Sequence, residues 1–280
     1  MAASILPSEN TFTNPDNFTL HEKTWSAENA KAIVLITHGI AEHCGRYDHV
    51  AQSLVEGGYT VVAFDLRGHG KSSGKRNYIN SFQDYLNDLD EMLGRVRVNY
   101  PDQSIFLLGH SMGGGIVALY TIEQQPDIEG ILLSAPMAKV SDEISPMLQK
   151  ISGLLSAILP KLPVMKLDSS GISRDPKVIE DYDTDPLNYR GSILARTGAE
   201  LLKATKTISA GTSRISTPIL IMHGTNDKIT DVSGSEMLFD KVSSDDKTLK
   251  LYDGLFHEIL NEPEKDGVKL DILEWLDAHT

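Results

Sequence analysis

Ile105 to Tyr120 reads IFLLGHSMGGGIVALY. Four apolar residues run into a glycine, a serine follows two positions later, and a glycine-rich apolar segment continues behind it. The inner pattern, Gly109-His110-Ser111-Met112-Gly113, is GxSxG. Its flanks give it meaning. Ser104 to Leu108 reads as a short buried strand, and Met112 to Gln124 has helical spacing with no proline before Pro126. Strand, sharp turn and helix in that order predict a strained turn that lifts the Ser111 hydroxyl above a sheet, with glycines two residues either side letting the backbones approach.

Outward from this segment, apolar β-rich runs recur at Ala32–Thr37, Tyr59–Phe64, Ile105–Leu108, Gly130–Ser134, Pro218–Met222 and Thr248–Tyr252, most of them separated by helical lengths. That rhythm predicts an α/β fold with a mostly parallel, doubly wound sheet. The near-continuous apolarity of IVLIT, VVAF, IFLL and ILIM predicts strands buried on both faces. From about Ala138 to Arg214 no strand is expected. There, apolar residues at Leu148, Ile151, Leu154, Leu155, Ile158, Leu159 and Leu162 predict an amphipathic helix stopped or kinked at Pro160. The expected division is a core of residues 1–137 and 215–280 and an inserted helical cap of residues 138–214. Such a cap would lie over the carboxyl ends of the strands, where ligands of these folds bind. Leu155 and Ile158 are assigned to its apolar lid and acyl-channel wall.

The chain has 280 residues, 26 basic against 39 acidic, and a net charge of −13. This repels nucleic-acid phosphates, so no nucleic-acid partner is expected. One cysteine, Cys44, excludes an intrachain disulfide and any CxxC metal site. HExxH is absent as well, and neither metal nor cofactor is expected. MAASILPSENTF lacks a basic start and a long apolar run, and nothing approaches about 18 uninterrupted apolar residues, so the expectation is a cytoplasmic protein, at most peripheral to membranes.

A serine hydroxyl needs a base, and the base needs an orienting carboxylate. On a strand–turn–helix elbow the order is serine, acid, histidine. Of nine histidines, six precede or adjoin Ser111, His223 precedes the best acid, and His279 is penultimate. His257, in YDGLFHEIL, remains. Asp227, in the loop after the Pro218–Met222 strand, is the acid, with Asp231 its competitor. The N–H groups of Met112 and of Ile40, which follows His38-Gly39 at a strand end, are the expected oxyanion donors. Two decoys are set aside. His43 to Asp48 has an HxxxxD spacing in a loop, and Asp65 is expected to fix the Arg67-Gly68-His69-Gly70 turn by hydrogen bonds to backbone.

The segments HGIAEHCGRY, FDLRGHGKSSGKR, GHSMGG, DSSGISRDP, DYDTDPL, HGTNDKIT and DKTLKLYDGLFHE together resemble the monoacylglycerol lipase family of the α/β-hydrolase superfamily, from about residue 18 to near the end. GHSMGG is common to many hydrolases. RGHGKSSGKR and DSSGISRDP are far more specific. The resemblance implies the α/β-hydrolase fold, Ser111, Asp227 and His257 as the triad, Ile40 and Met112 as oxyanion donors, and a glycerol-end pocket near Glu42, Arg46 and Tyr182. It implies a cofactor-free serine esterase acting on a small lipid ester, with transient membrane-surface contact through the cap. Lysophospholipase or general carboxylesterase activity is the nearest alternative, and a non-hydrolytic ligand receptor on the same fold the alternative from another class.

Overall fold

The computed structural model describes residues 6–139, 153–166 and 168–280. Ten strands are present among them: β1 (Ser8–Thr13), β2 (Thr19–Trp25), β3 (Ile33–Thr37), β4 (Thr60–Phe64), β5 (Ile105–His110), β6 (Gly130–Ser134), β7 (Pro163–Lys166), β8 (Ser192–Leu194), β9 (Ile219–Gly224) and β10 (Lys247–Tyr252). Eight of them form one sheet in the order β1-β2-β4-β3-β5-β6-β9-β10. From β4 to β10 every neighbouring pair is parallel, while β2 joins β4, and β1 joins β2, antiparallel.

Every residue of β3, β4, β5, β6 and β9 is buried, as their unbroken apolar composition predicts. The side-chain alternation divides them between two cores. Ile33, Leu35, Leu107 and Leu133 face the helices Gln83–Asn99 and Met112–Gln124. Val34, Ile36, Leu108 and Leu132 face the helices Asp48–Glu56 and Lys265–Ala278. The helix Met112–Gln124 is buried all round as far as Ile122 and ends on Gln125 in the left-handed conformation, just before Pro126.

The β1–β2 hairpin has no counterpart in the apolar runs. Its inner strand, TLHEKTW, buries polar residues because each has a partner: Glu22 accepts two hydrogen bonds from Arg95 at 3.0 and 3.1 Å, and Lys23 pairs with Asp48 at 2.5 Å. Pattern reading cannot anticipate such pairing.

The chain leaves the sheet after β6 and returns at β9. The expectation of no strand between residues 138 and 214 is overturned, since β7 and β8 pair antiparallel within that stretch. β7, PVMK, is exposed along its whole length and opens on a proline, so it lacks the buried apolar run that marks a strand in the core. The predicted amphipathic helix is helical at residues 153–158, and its expected start, Leu148 to Ile151, lies outside the described residues. Three of its apolar residues point outward, Leu154 being 64%, Ile158 66% and Leu159 50% exposed, while Leu155 is half-buried. The inward position belongs to buried Ser156, whose Oγ lies 3.5 Å from Arg196. The helix Ala195–Gly211, later in the same stretch, packs on the core through Ala204 and Ile208.

Candidate active site

Ser111 occupies the bend between β5 and its helix with φ 54° and ψ −119°. A side chain in this region of φ and ψ stores roughly 1–3 kcal/mol of strain, which the packing on either side must hold. The glycines make that packing feasible. A Cβ on Gly109 would lie 2.4 Å from the Gly113 carbonyl oxygen, and one on Gly113 would lie 2.1 Å from that of Thr37. The flanking glycines therefore let β3, β5 and the helix approach closely enough to impose the bend. Ser111 N–H donates to Ser134 O at 2.9 Å, and its carbonyl receives Gly115 and Met137 N–H groups at 3.1 and 3.0 Å.

The loops after β9 and β10 supply the other groups. His257 Nε2 lies 2.8 Å from Ser111 Oγ, and His257 Nδ1 lies 2.7 Å from Asp227 Oδ2. Five donors surround the Asp227 carboxylate. Oδ1 accepts the Ile229 and Thr230 N–H groups at 2.7 and 3.0 Å; Oδ2 accepts the Thr230 hydroxyl at 2.9 Å and faces His257 and His223. Burial alone would raise its pKa. The charge of His257 and the hydrogen bonds from His223 and His257 win, holding it ionised well below the usual carboxylate range. Burial pushes His257 down, but the Asp227 charge and hydrogen bond, then Glu258 and Glu42, leave its pKa above the ordinary value. Asp231, the competing acid, instead caps the helix Val232–Lys241 by accepting Ser233 N–H at 2.9 Å.

Met112 opens the helix behind Ser111, so its N–H is among the first-turn donors that have no intrahelical acceptor. Ile40 lines the cleft in the loop after β3. That loop is braced from below. Glu42 Oε1 accepts Gly39 N–H at 2.6 Å and the Tyr47 hydroxyl at 2.8 Å, and its Oε2 accepts Arg46 Nη1 at 2.8 Å. The Arg46 guanidinium also grips Glu258 through both terminal nitrogens, at 2.6 and 2.7 Å, and stands 5.0 Å over the Tyr182 ring. Arg46 beside it holds the Glu42 pKa at about 2, against the upward push of burial. The Tyr182 hydroxyl donates to Ala41 O at 3.1 Å, tying the helix Pro176–Thr184 to the same loop.

Ser111, His257, Ile40, Glu42 and Tyr182 all line one cleft, together with Asp168, Ile172, Ile229 and Glu258. Among the described residues, Leu155 and Ile158 are not in that lining: Ile158 faces solvent and Leu155 is half-buried. Two participants were missed. Glu258 adjoins His257 in sequence and could have been found from that neighbourhood. His223 was set aside for preceding the acid, although HGTND places it four residues before Asp227. Asp65 behaves as expected, accepting backbone N–H groups of Cys44 and Lys71 at 2.8 and 2.7 Å. The HxxxxD pair separates, His43 facing Asp185 and Asp48 facing Lys23.

A family model described as serine aminopeptidase, S33, matches residues 28–264. A monoacylglycerol lipase of Mycolicibacterium smegmatis is 35% identical over 97% of this chain and 98% of its own. A phospholipase of Bacillus subtilis is 36% identical over 88% of this chain and 95% of its own. The solved structure of a soluble variant of monoglyceride lipase from Saccharomyces cerevisiae, in complex with a substrate analogue, is similar with a TM-score of 0.88 at 26% identity, covering 100% of this chain and 98% of that one. An aminopeptidase, a lipase and a phospholipase differ in substrate, but the likeness to monoacylglycerol lipases runs almost end to end in both sequence and fold. The chain therefore belongs to the monoacylglycerol lipase family of the α/β-hydrolase superfamily.

Proposed function

We propose that this protein is a serine esterase that cleaves monoacylglycerols into fatty acid and glycerol through an acyl-enzyme. The observation that carries the reading is the unbroken line from Ser111 Oγ through His257 to Asp227, at 2.8 and 2.7 Å, opening onto a cleft. In this reading His257 Nε2 takes the Ser111 proton while Oγ attacks the ester carbonyl carbon. The N–H groups of Ile40 and Met112 receive the negative charge that develops on the carbonyl oxygen. Collapse breaks the bond to the alcohol oxygen, which takes the proton from His257. A water molecule then gives a proton to His257 and attacks the acyl carbon, and Ser111 leaves reprotonated. Asp227 orients the ring and stabilises its cation. The division into a core of residues 1–137 and 215–280 and a cap of residues 138–214 belongs to the same proposal.

The cleft's charge supports an uncharged leaving alcohol. Among the described residues, the charged side chains lining it are Glu42, Asp168 and Glu258, with no lysine or arginine. Arg46, behind the lining, is already held by both Glu258 and Glu42. A phosphate-bearing head group would meet net negative charge here, whereas glycerol meets hydrogen-bonding oxygens at no Coulombic cost. The same carboxylates would suit an ammonium group, which favours amino-terminal peptide cleavage as the second reading. The exposed apolar side chains Leu154, Ile158, Leu159, Val164 and Met165 support transient contact of the cap with a lipid surface.

The test is a side-by-side assay of the purified protein on a 1-monoacylglycerol, its 3-phosphate, lysophosphatidylcholine, a p-nitrophenyl butyrate and an aminoacyl p-nitroanilide. The monoacylglycerol is expected to have the highest kcat/KM among the lipids, with the phosphate ester about tenfold or more below it. A preference for the phosphate ester or for the anilide would overturn the assignment. No turnover, combined with no labelling by a fluorophosphonate, would replace it with a ligand receptor.

A further inference from the structure

Asp227 faces two histidines, and only one of them touches Ser111. His223, next to last in β9, places Nε2 3.0 Å from Asp227 Oδ2, the oxygen that also faces His257 Nδ1. Its other nitrogen, Nδ1, lies 2.7 Å from the hydroxyl of Ser235 in the first turn of the helix Val232–Lys241. His223 and Ser235 are both fully buried. Two serine–histidine arms therefore meet at a single carboxylate oxygen: Ser111–His257, which lines the cleft, and Ser235–His223, which is buried in the core. The inner arm is no second reaction centre, because neither of its residues lines the cleft.

Its protonation follows from its partners. An ionised carboxylate only accepts, so His223 Nε2 carries a proton directed at Asp227. In the neutral ring Nδ1 is then bare and accepts the Ser235 hydroxyl proton. Without that hydroxyl, the proton could sit on Nδ1 and turn a lone pair toward the carboxylate. The titratable groups around His223 are Asp227, His257 through that carboxylate, and Asp231, whose ionised form it favours from farther off. The Thr230 carbonyl oxygen, 3.3 Å from Nε2, and the Thr230 hydroxyl, 3.4 Å from it, are its neutral neighbours.

We propose that His223, held in one tautomer by Ser235, is a positioning residue for the reaction: it fixes the Asp227 carboxylate through the same oxygen that His257 meets, and thereby the orientation of the His257 ring. By drawing on the same oxygen, it also lowers the charge that Asp227 offers to the His257 cation. Loss of this donor should do two things together. It should lower kcat, because the base is held less well, and it should raise the pH at which His257 becomes an effective base, because Asp227 then stabilises the cation more strongly. KM should stay nearly unchanged, since His223 is not among the cleft residues.

The inference rests on the proposed serine chemistry, and the experiment separates the two. His223→Leu, His223→Gln, Ser235→Ala and Ser111→Ala proteins are compared with the unaltered chain on a soluble short ester across pH 5–9, with melting temperatures recorded. Glutamine places an amide N–H close to where Nε2 stands. The expectation is a fall in kcat on the order of tenfold for His223→Leu at near-constant KM, an acid limb displaced to higher pH, restoration of both by His223→Gln, and a smaller change in the same direction for Ser235→Ala. A His223→Leu protein with kcat within about twofold of normal and an unmoved acid limb overturns the inference. So does a loss that follows the melting temperature and is not relieved by His223→Gln. Should His223→Leu fail to fold, Ser235→Ala decides: an unchanged kcat and acid limb overturn the inference. An active Ser111→Ala protein removes the serine chemistry and this inference with it, whereas an inactive one alongside an unaffected His223→Leu removes the inference alone.

Discussion

Ser111 and His257 act as a unit or not at all, because a hydroxyl without its base and a base without its hydroxyl are equally ineffective. Ser111→Ala and His257→Ala should each lower kcat by roughly 10⁴- to 10⁶-fold, and the double variant should be scarcely worse than either. Steady-state assays on all three proteins check this, and near-additive losses would argue against the line of contacts as the catalytic machinery. The pH profile tests the same residues differently. His257 is a base only when neutral, and Asp227, with help from Glu258 and Glu42, raises its pKa above the ordinary 6.5. The activity should therefore rise with pH through an ionisation above 6.5, higher than for an unpartnered imidazole. The same sign applies to stability: the raised pKa favours the folded protein below the unfolded-state value, and that contribution fades as pH rises through the folded-state value. A kcat/KM profile on a soluble ester, flat from pH 5 to 8, would contradict both geometry and charge.

The elbow between β5 and its helix is the element on which the site depends. Its glycines are needed for space, since each added Cβ would lie inside the contact distance of a backbone carbonyl that cannot swing away. Gly113→Ala should lower stability by about 1–3 kcal/mol and reduce activity even in the folded fraction, because separating the helix from β3 moves Ser111 relative to His257. Thermal melts and fluorophosphonate labelling rates report the two effects separately. The helical turn at residues 153–158 makes the opposite case. Ile158 is 66% exposed, so Ile158→Ser should change stability by no more than about 0.5 kcal/mol. It should leave p-nitrophenyl butyrate turnover untouched and reduce turnover of monoacylglycerol presented in vesicles. Equal losses on both substrates would remove the lipid-contact role.

At the scale of the whole molecule, the net charge of −13 and the exposed apolar side chains Leu154, Ile158, Leu159, Val164 and Met165 make opposing demands on a lipid surface. Charge disfavours anionic bilayers, and the apolar side chains gain on any bilayer that receives them. Among the described residues no helix is long and apolar enough to cross a membrane, so contact through the cap would be superficial. Vesicle sedimentation should show more binding to phosphatidylcholine than to phosphatidylserine at low salt, with the difference shrinking as salt rises. Tighter binding to the anionic vesicles would show that a local basic patch overrides the net charge.

The local and periodic features of the molecule were legible in the sequence. Apolar runs without alternation mark β3, β4, β5, β6 and β9, because a strand buried on both faces has no position left for a polar residue. The elbow can be read because its backbone conformation demands small residues at fixed offsets from Ser111. His257 and Asp227 follow from chain order, since in this fold the site collects what lies just beyond the carboxyl ends of β5, β9 and β10. What depends on partners from distant parts of the chain was decided only by folding. The polar strand β2 is buried because Arg95 and Asp48 come to meet it, β7 and β8 exist because they find each other, and Leu154, Ile158 and Leu159 face outward while Ser156 takes the inner position. His223 joins the site for the same reason. A histidine in a sequence is only a ring with two nitrogens, and its function is set by which oxygen each nitrogen reaches once sheet, loop and helix have closed around it.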